Sequence, residues 1–183
     1  GTGAALAGAG LRHPGRGADG GGDDGQALNS AGRGELVCSP RTAGILYVHG
    51  ADSRPDLTQL VLAAQTRGIP VLVDAAGELS DRDHLRGILQ TGADLVCFSG
   101  GKAIRGPQAT GLLCGRKTLI SSAAVQMLDM DDHPQLWDPP ADLVDRSWLP
   151  TLPRHGIGRS MKVSKEQIFA VLTALRIYAA GAY

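Results

Sequence analysis

Short apolar runs alternate with amphipathic segments from about residue 40 onward. The runs are rich in β-branched residues and predict four buried strands, at residues 44–49, 70–74, 94–98 and 110–114. The segments between and after them carry apolar residues on one helical face and predict helices at residues 55–67, 80–89 and 117–128. Strands separated by single helices at this spacing indicate an α/β domain whose sheet is at least partly parallel.

A further helix is predicted near the end of the chain. Ser164 and Gln167 have the spacing of a capping box, in which each residue satisfies a backbone donor of the other. The pattern predicts that one apolar face of this helix packs on the domain, formed by Ile168, Val171, Leu172 and Leu175. Residues 131–153 are rich in Pro, Asp and Trp, which is typical of a surface excursion.

The beginning of the chain has a different composition. Twelve of the 26 glycines fall within residues 1–34, which show neither a helical nor a strand period. Ordering glycine backbone is entropically costly, so we expect residues 1–38 to be a disordered or unrelated lead. The domain itself is then expected to occupy residues 39–183.

Charge and cysteine content exclude several classes of protein. Eighteen Lys and Arg balance eighteen Asp and Glu, so nucleic-acid binding would need a local basic patch. No run of about 18 uninterrupted apolar residues is present, which argues against a membrane-spanning protein. Three cysteines without a CxxC pair argue against a disulfide framework and favour a reducing cytoplasm.

Two charged residues follow neighbouring predicted strands. Asp74 ends the second strand, and Lys102 closes the segment Ser99-Gly-Gly-Lys102 after the third. Because a helix crosses over between these strands, both residues are expected at the same edge of the sheet, where α/β proteins bind ligands. A lysine amine and a carboxylate are what pyridoxal 5′-phosphate needs, as a Schiff-base partner and as a partner for its ring nitrogen. The alternative is that Asp74 caps the next turn and Lys102 is a solvated loop residue.

Longer stretches around these residues resemble a known enzyme family. The segments are Gly68-Ile-Pro-Val-Leu-Val-Asp74-Ala-Ala, Asp94 to Ile120 with Ser-Gly-Gly-Lys102-Ala-Ile-Arg-Gly-Pro-Gln, and Gly156-Ile-Gly-Arg-Ser-Met. They are similar to the selenocysteine synthase-like family of fold-type-I pyridoxal phosphate enzymes. The resemblance covers roughly residues 41 to 178 and implies part of the large domain of such an enzyme, a mostly parallel sheet flanked by helices.

The resemblance also assigns roles to residues. It implies that Lys102 is the Schiff-base and catalytic lysine and that Asp74 pairs with the pyridinium nitrogen. Ser99 lies where such enzymes contact the cofactor phosphate, and Ala76 is included among the cofactor-binding positions. Arg105 and Arg159 are candidates for clamping a carboxylate or phosphate of the substrate, with solvated surface arginines as the alternative. Gln108 is a further candidate substrate contact.

Three other features carry weaker expectations. His49 ends the first predicted strand and either faces the site or is a satisfied strand-end histidine. The segment Asp129-Met-Asp-Asp-His133 lacks the spacing of an EF-hand loop, so we interpret it as a solvated turn and expect no metal. Cys97 and Cys114 lie inside apolar runs and are expected to pack as small hydrophobic side chains.

Departures from the family pattern shape the functional expectation. Ala75-Ala76 and Gly101 stand where the selenium transferases typically carry Gly-Ser and Asp, and a tRNA-binding region is not recognised. We therefore expect a lyase acting on a small amino acid or amino-sugar acid, in a cytoplasmic homo-oligomer. The alternatives are an L-seryl-tRNA(Sec) selenium transferase, which alone would bind nucleic acid, and an inactive truncated remnant. The segment that supplies further phosphate donors in such enzymes is not recognised, so a partial sequence is expected, from natural truncation or an upstream frame error.

Overall fold

The strands and helices follow one another as an α/β domain. A computed structural model describes residues 5–9, 38–77, 82–128, 133, 135, 137–149 and 156–182. The strands are β1 (Ala5–Ala9), β2 (Thr42–Val48), β3 (Val71–Asp74), β4 (Leu95–Ser99) and β5 (Gly111–Gly115). The helices are α1 (Leu57–Gln65), α2 (Arg82–Gln90), α3 (Lys117–Val125) and α4 (Lys165–Ala179), with 3₁₀ turns at Arg146–Trp148 and Arg159–Met161.

The sheet is mostly parallel, as predicted. Its strand order is β1-β2-β3-β4-β5, and the first four strands run parallel while β5 is antiparallel to β4. Helices α1 and α2 connect the parallel pairs β2–β3 and β3–β4, as parallel strands require a crossover. The carboxyl ends of β2, β3 and β4 therefore lie at one edge of the sheet, here called the carboxyl edge.

One face of the sheet forms the core. Alternate residues of β2, β3 and β4 are buried there together with the apolar faces of α1, α2 and α4. The sheet residues are Ile45, Tyr47, Val71, Val73, Val96 and Phe98, and the helix residues include Leu57, Leu60, Val61, Ala64, Ile88 and Ala174. The intervening strand residues point to the other face, where Val48 and Leu113 are exposed. The strand positions predicted from the apolar runs are thus confirmed within two residues at each end.

Capping residues define where two of the helices begin. The Asp56 carboxylate accepts hydrogen bonds from the backbone N–H groups of Thr58 and Gln59 at the start of α1. The Ser164 hydroxyl accepts from the Gln167 N–H, and the Gln167 side chain accepts from the Ser164 N–H. This reciprocal pair confirms the capping box at the start of α4. Of the described helices, none is long and apolar enough to cross a membrane.

The buried face of α4 differs from the predicted one. Val171 is 6% exposed and Ala174 is 7% exposed, whereas Ile168 and Leu172 are 43% and 44% exposed. Val171 packs closely on the chain that follows β4, because a Cβ added to Gly100 would lie 2.9 Å from its Cγ2. The rotation of the helix is therefore set by this tertiary contact rather than by its most apolar stripe.

Residues 5–9 form a strand that the apolar pattern did not predict. β1 pairs in parallel with β2 over the whole of its length, with Ala9 opposite Tyr47. Backbone pairing satisfies the N–H and C=O groups along the open edge of β2, and this requires no alternation of side chains. This pairing is contrary to disorder in these five residues, whereas the alternative of an unrelated lead stays a prediction. Residues 10–37 lie outside the described part, and the expectation for them stays a prediction.

The Pro-rich segment after α3 is only partly a surface excursion. Val144 is buried, and the buried Ser121 hydroxyl of α3 hydrogen bonds to the carbonyl oxygens of Lys117 and Leu143. These contacts attach residues 137–149 to α3, and hydroxyl pairing of this kind leaves no periodic signal in the sequence. Asp129–Asp132 of the acidic segment lie outside the described residues, so its interpretation as a solvated turn stays a prediction.

Asp94 precedes β4 at the end of the sheet opposite the carboxyl edge, and its side chain contacts the start of β3 and the residue after β5. Its Oδ2 accepts a hydrogen bond from the buried Val71 N–H at 2.7 Å, and its Oδ1 pairs with Arg116 at 2.9 Å. The Arg116 N–H also donates to the Asp94 backbone oxygen at 2.8 Å. One side chain thus connects the start of β3 with the chain that links β5 to α3.

We predict that Asp94→Ala destabilises the fold by about 1–3 kcal/mol, because the buried Val71 N–H loses its acceptor. Arg116→Ala is the matched control and should change stability by less than about 1 kcal/mol, since the Arg116 side chain is 52% exposed. Urea unfolding midpoints with an unchanged slope measure both effects. Equal losses in the two variants would contradict the assignment of the hydrogen bond as the stabilising contact.

Candidate active site

The two central candidates follow adjacent strands at the carboxyl edge. Asp74 is the last residue of β3 and lies opposite Val48 of β2 and Cys97 of β4 in the ladder. Lys102 follows β4, three residues after Ser99, the last residue of that strand. Asp74 and the segment that carries Lys102 therefore leave adjacent strands at the same edge, as the sequence predicts.

Asp74 also stabilises the turn that follows it. Its Oδ1 accepts a hydrogen bond from the Ala76 N–H at 3.0 Å, and its backbone oxygen accepts from the His49 N–H at 2.8 Å. The turn-capping interaction proposed as the alternative is therefore present. A carboxylate has two oxygens, so this bond is compatible with a further donor at Oδ2.

Ala76 contributes to the site through its backbone N–H group. Its N–H is used by Asp74, and the residue is half-buried at the turn. It fixes the orientation of the carboxylate rather than presenting a functional side chain. A direct contact between Ala76 and a cofactor stays a prediction.

Residues 100–110 connect β4 to β5 and are called the lysine loop. The two ends of the loop are joined by the Gly100 N–H, which donates to the Thr110 backbone oxygen at 2.9 Å. The Gly106 N–H donates a hydrogen bond to the Gly100 oxygen at 2.7 Å. The buried Thr110 hydroxyl donates to the Pro107 oxygen at 2.6 Å. Thr110 is a residue that sequence reasoning missed, because only the closure of the loop reveals its partners.

Lys102 is presented outward from this closed loop. Its side chain is exposed, while Ile104 two residues later is 0% exposed and anchors the loop in the core. The Arg105 N–H donates to the Lys102 oxygen at 2.9 Å, and Arg105 has a φ of 59°, which non-glycine residues rarely adopt. Arg105 is also exposed. The loop therefore carries two cationic side chains within one turn, at the edge where Asp74 lies.

Gln108 lies in the lysine loop, and its amide is used within the loop. The side-chain Nε2 donates to the Gly101 backbone oxygen at 3.0 Å. The sequence suggested a substrate contact at this position. The structure instead provides a protein partner for the donor half of the amide.

Arg159 begins the 3₁₀ turn that precedes α4. Its 3₁₀ turn is attached to the end of α3, where the Gly156 N–H donates to the Leu128 oxygen and the Gly158 N–H to the Gln126 oxygen. A Cβ at Gly156 would overlap the Gln126 oxygen, so the Gly-Ile-Gly motif is explained by close packing on this helix. Substrate binding by Arg159 stays a prediction.

His49 pairs with a histidine from α2. The Nε2 atoms of His49 and His84 are 3.4 Å apart, and the two rings meet edge to face with centroids 5.7 Å apart. This contact favours the interpretation of His49 as a strand-end histidine with a protein partner. Sequence reasoning missed His84, which is the third residue of α2 and lies 35 residues from His49 along the chain. Within the described residues, no cluster of three or more His, Cys, Asp or Glu side chains could hold a metal.

Comparison with known proteins identifies a family for the part of the chain that contains this site. The model of the L-seryl-tRNA selenium transferase family matches residues 43–130, which include Asp74 and the lysine loop. The matched part of the chain belongs to the selenocysteine synthase-like family. A 5′-C-glycyluridine monooxygenase-decarboxylase from a Streptomyces species is 33% identical over 145 residues. The D-glucosaminate-6-phosphate ammonia lyase of Salmonella typhimurium is 31% identical over 151 residues.

A solved structure supports the same relationship at the level of the fold. The structure of a D-glucosaminate-6-phosphate ammonia-lyase superposes with a TM-score of 0.56 at 26% identity, and the match covers 86% of this chain. The domain thus has the fold of part of this lyase, an α/β fold with a mostly parallel sheet flanked by helices, as the resemblance implied. The match to the decarboxylase covers 76% of this chain and 28% of that protein. The match to the Salmonella lyase covers 80% of this chain and 32% of that protein. The match to the solved lyase structure covers 37% of its chain. The chain therefore spans about a third of these selenocysteine synthase-like relatives.

The pKa of the Cys97 thiol depends on the charge of Asp74. Burial raises the pKa of the Cys97 thiol, and the neighbouring Asp74 carboxylate and Cys114 raise this pKa further. Burial alone raises the pKa of Cys114. All three cysteines, including Cys38, are free thiols. Cys97 and Cys114 are half-buried, which fits their predicted role as small packing residues.

We predict that Asp74→Asn increases the alkylation rate of Cys97 roughly twofold at fixed pH, because loss of the negative charge lowers the pKa and raises the thiolate fraction. Asparagine can still accept the hydrogen bond from Ala76, so the turn is retained. Cys114 is an internal control and should react at an unchanged rate. Iodoacetamide labelling followed by peptide mass spectrometry measures both thiols, and equal acceleration of both would indicate general loosening instead.

Proposed function

We propose that this chain is part of a pyridoxal phosphate-dependent lyase that acts on a small amino acid or amino-sugar acid. The observation that carries the proposal is the placement of Asp74 and the lysine loop after adjacent parallel strands at one edge. Ligand sites in α/β sheets form at this edge. The relationship to the ammonia lyase supports the lyase branch.

The residues at the carboxyl edge fit the cofactor chemically. The site offers an exposed lysine amine, a half-buried carboxylate and a strand-end hydroxyl, at Lys102, Asp74 and Ser99. Gly100 and Gly101 leave no room for a Cβ, so the backbone before the lysine is free of side chains. Bound pyridoxal phosphate supplies an electron sink for chemistry at the α-carbon of an amino substrate.

Each residue has a proposed task. Lys102 would hold the cofactor through a covalent link and, once released by the substrate amine, would accept the α-proton at Nζ. Asp74 would keep the ring nitrogen protonated, and Ser99 with the turn at Ala76 would contact the cofactor. Arg105 would orient an anionic group of the substrate, because a guanidinium pairs with carboxylate or phosphate through two parallel hydrogen bonds.

The cellular location, oligomeric state and substrate class of the protein are also proposals. We place the protein in the cytoplasm as a homo-oligomer with a small-molecule substrate. Three free cysteines favour a reducing compartment. Exposed Ile168, Phe169 and Leu172 on α4 supply apolar surface for contact with a second copy.

The second candidate is an L-seryl-tRNA(Sec) selenium transferase. It is favoured by the family match over residues 43–130 and by several selenium transferases among the relatives, including one from Nitratidesulfovibrio vulgaris that is 24% identical over 160 residues. The net charge of zero weighs against it, because RNA binding needs clustered Lys and Arg.

We predict that the protein, incubated with pyridoxal phosphate, becomes yellow and retains the cofactor on Lys102 after borohydride reduction. The reason for this expectation is that Lys102 is exposed and follows the strand adjacent to that of Asp74. Peptide mass spectrometry identifies the modified lysine. Lys102→Ala should abolish the colour, while Lys165→Arg on the exposed start of α4 is the matched control and should retain it. Modification spread evenly over surface lysines, or no uptake, would favour the inactive remnant.

For the second candidate, we predict that seryl-tRNA(Sec) is not retained by the protein in a filter-binding assay at moderate salt. The reason is the balanced charge of the chain. Bulk tRNA is the control for unspecific binding. Selective retention of seryl-tRNA(Sec) would replace the lyase proposal with the transferase.

A further inference from the structure

One side-chain hydrogen bond of the lysine loop acts on the peptide bond that precedes Lys102. Gln108 Nε2 donates to the Gly101 oxygen at 3.0 Å. That oxygen belongs to the peptide bond between Gly101 and Lys102. Because a carbonyl oxygen only accepts, the bond requires the NH₂ group of the amide, and this fixes which way the Gln108 side chain is turned.

The backbone segments on either side of this hydrogen bond are closely packed. A Cβ added to Gly101 would lie 2.6 Å from the Gln108 Cα and 2.9 Å from its Oε1. Gly101 and Gln108 are therefore in direct backbone contact, and the glycine is required by the close approach. The hydrogen bonds from Gly100 to Thr110 and from Gly106 to Gly100 close the loop around this contact.

Two consecutive glycines precede Lys102, and glycine backbone is the least restricted of any residue. The turn to Arg105 restrains the peptide plane that orients the Lys102 Cα from its far side. Buried Ile104 anchors that far side. The Gln108 amide restrains the near side.

We propose that Gln108 is a positioning residue for Lys102 and not a substrate contact. Its amide holds the Gly101–Lys102 peptide plane, so that the lysine amine leaves the loop in one direction toward the Asp74 side of the carboxyl edge. The proposal rests on the function proposed above in one respect, namely that Lys102 is the residue that captures the cofactor.

The test compares two substitutions that remove the donor. Gln108→Met keeps the length of the side chain and has no donor. Gln108→Glu has no donor near neutral pH, but its protonated carboxyl group can donate to the same carbonyl at low pH. Gln108 is exposed, so both variants are expected to fold. Gln59→Met, on an exposed position of α1, is the matched control.

The first readout is the rate at which Lys102 captures pyridoxal phosphate, followed by absorbance. We expect it to fall about tenfold in Gln108→Met and in Gln108→Glu at pH 7.5, as misplaced reactive groups lose rates of this order. Relative to wild type at the same pH, Gln108→Glu should recover as the pH falls to about 4, where more than half of a carboxyl group with the usual glutamate pKa is protonated, while Gln108→Met should not. A role for Gln108 as a substrate contact would not produce this rescue, because capture of the cofactor is measured without a substrate.

The second readout needs no cofactor. Amide hydrogen exchange of the peptide spanning residues 99–110 should become faster in Gln108→Met, with exchange in α1 unchanged. Wild-type rates of capture and exchange in both Gln108 variants would overturn the proposal. Failure of the wild-type protein to capture the cofactor would overturn the proposed function instead, and the exchange measurement would still decide the role of Gln108.

Discussion

The site depends on the parallel pairing of β3 with β4. Only three residue pairs define it, and the last of them sets Asp74 opposite Cys97. Side chains alternate between the faces of a strand, so a slip of one residue would turn Asp74 into the core face. Val71 and Val73 prevent the slip, because both are fully buried beneath the helices. Hydrophobic packing on one face of the sheet thus determines where the carboxylate lies at its edge.

The direction of β5 determines how the lysine is held. Parallel neighbours must be joined by a crossover that passes over the sheet, whereas an antiparallel neighbour can be reached at the same edge. The chain after β4 therefore turns back within the lysine loop and stays at the carboxyl edge. Val171 of α4 packs against the glycines of that loop. The C-terminal helix thus supports the site from the side of the core.

Residue periodicity predicted the strands from β2 to β5 and the four helices, because each carries a recognisable apolar pattern. It also placed Asp74 and Lys102 at one edge, because this follows from parallel topology alone. The pattern failed where tertiary contacts decide. The rotation of α4 depends on Val171 meeting a glycine, β1 depends on backbone pairing at an open edge, and burial of Val144 depends on a contact with α3.

The candidate site was predictable to a similar extent. Charged residues at strand ends were visible in the sequence, and so was the resemblance that assigns roles to them. The partners of Gln108 and His49 were not visible, because Gly101 lies seven residues away and His84 lies 35 residues away along the chain. Contacts of this kind depend on loop closure and on helix placement, for which a single sequence has no local signal.

Arg105 has one further consequence, for the variation that the loop can tolerate. Its left-handed backbone conformation is disfavoured for side chains branched at Cβ and is accepted readily by glycine and asparagine. Valine, isoleucine and threonine are therefore excluded at this position on steric grounds, whatever the ligand. Glycine and asparagine, which fit this backbone best, carry no positive charge, so relieving the strain would remove a cation from the lysine loop.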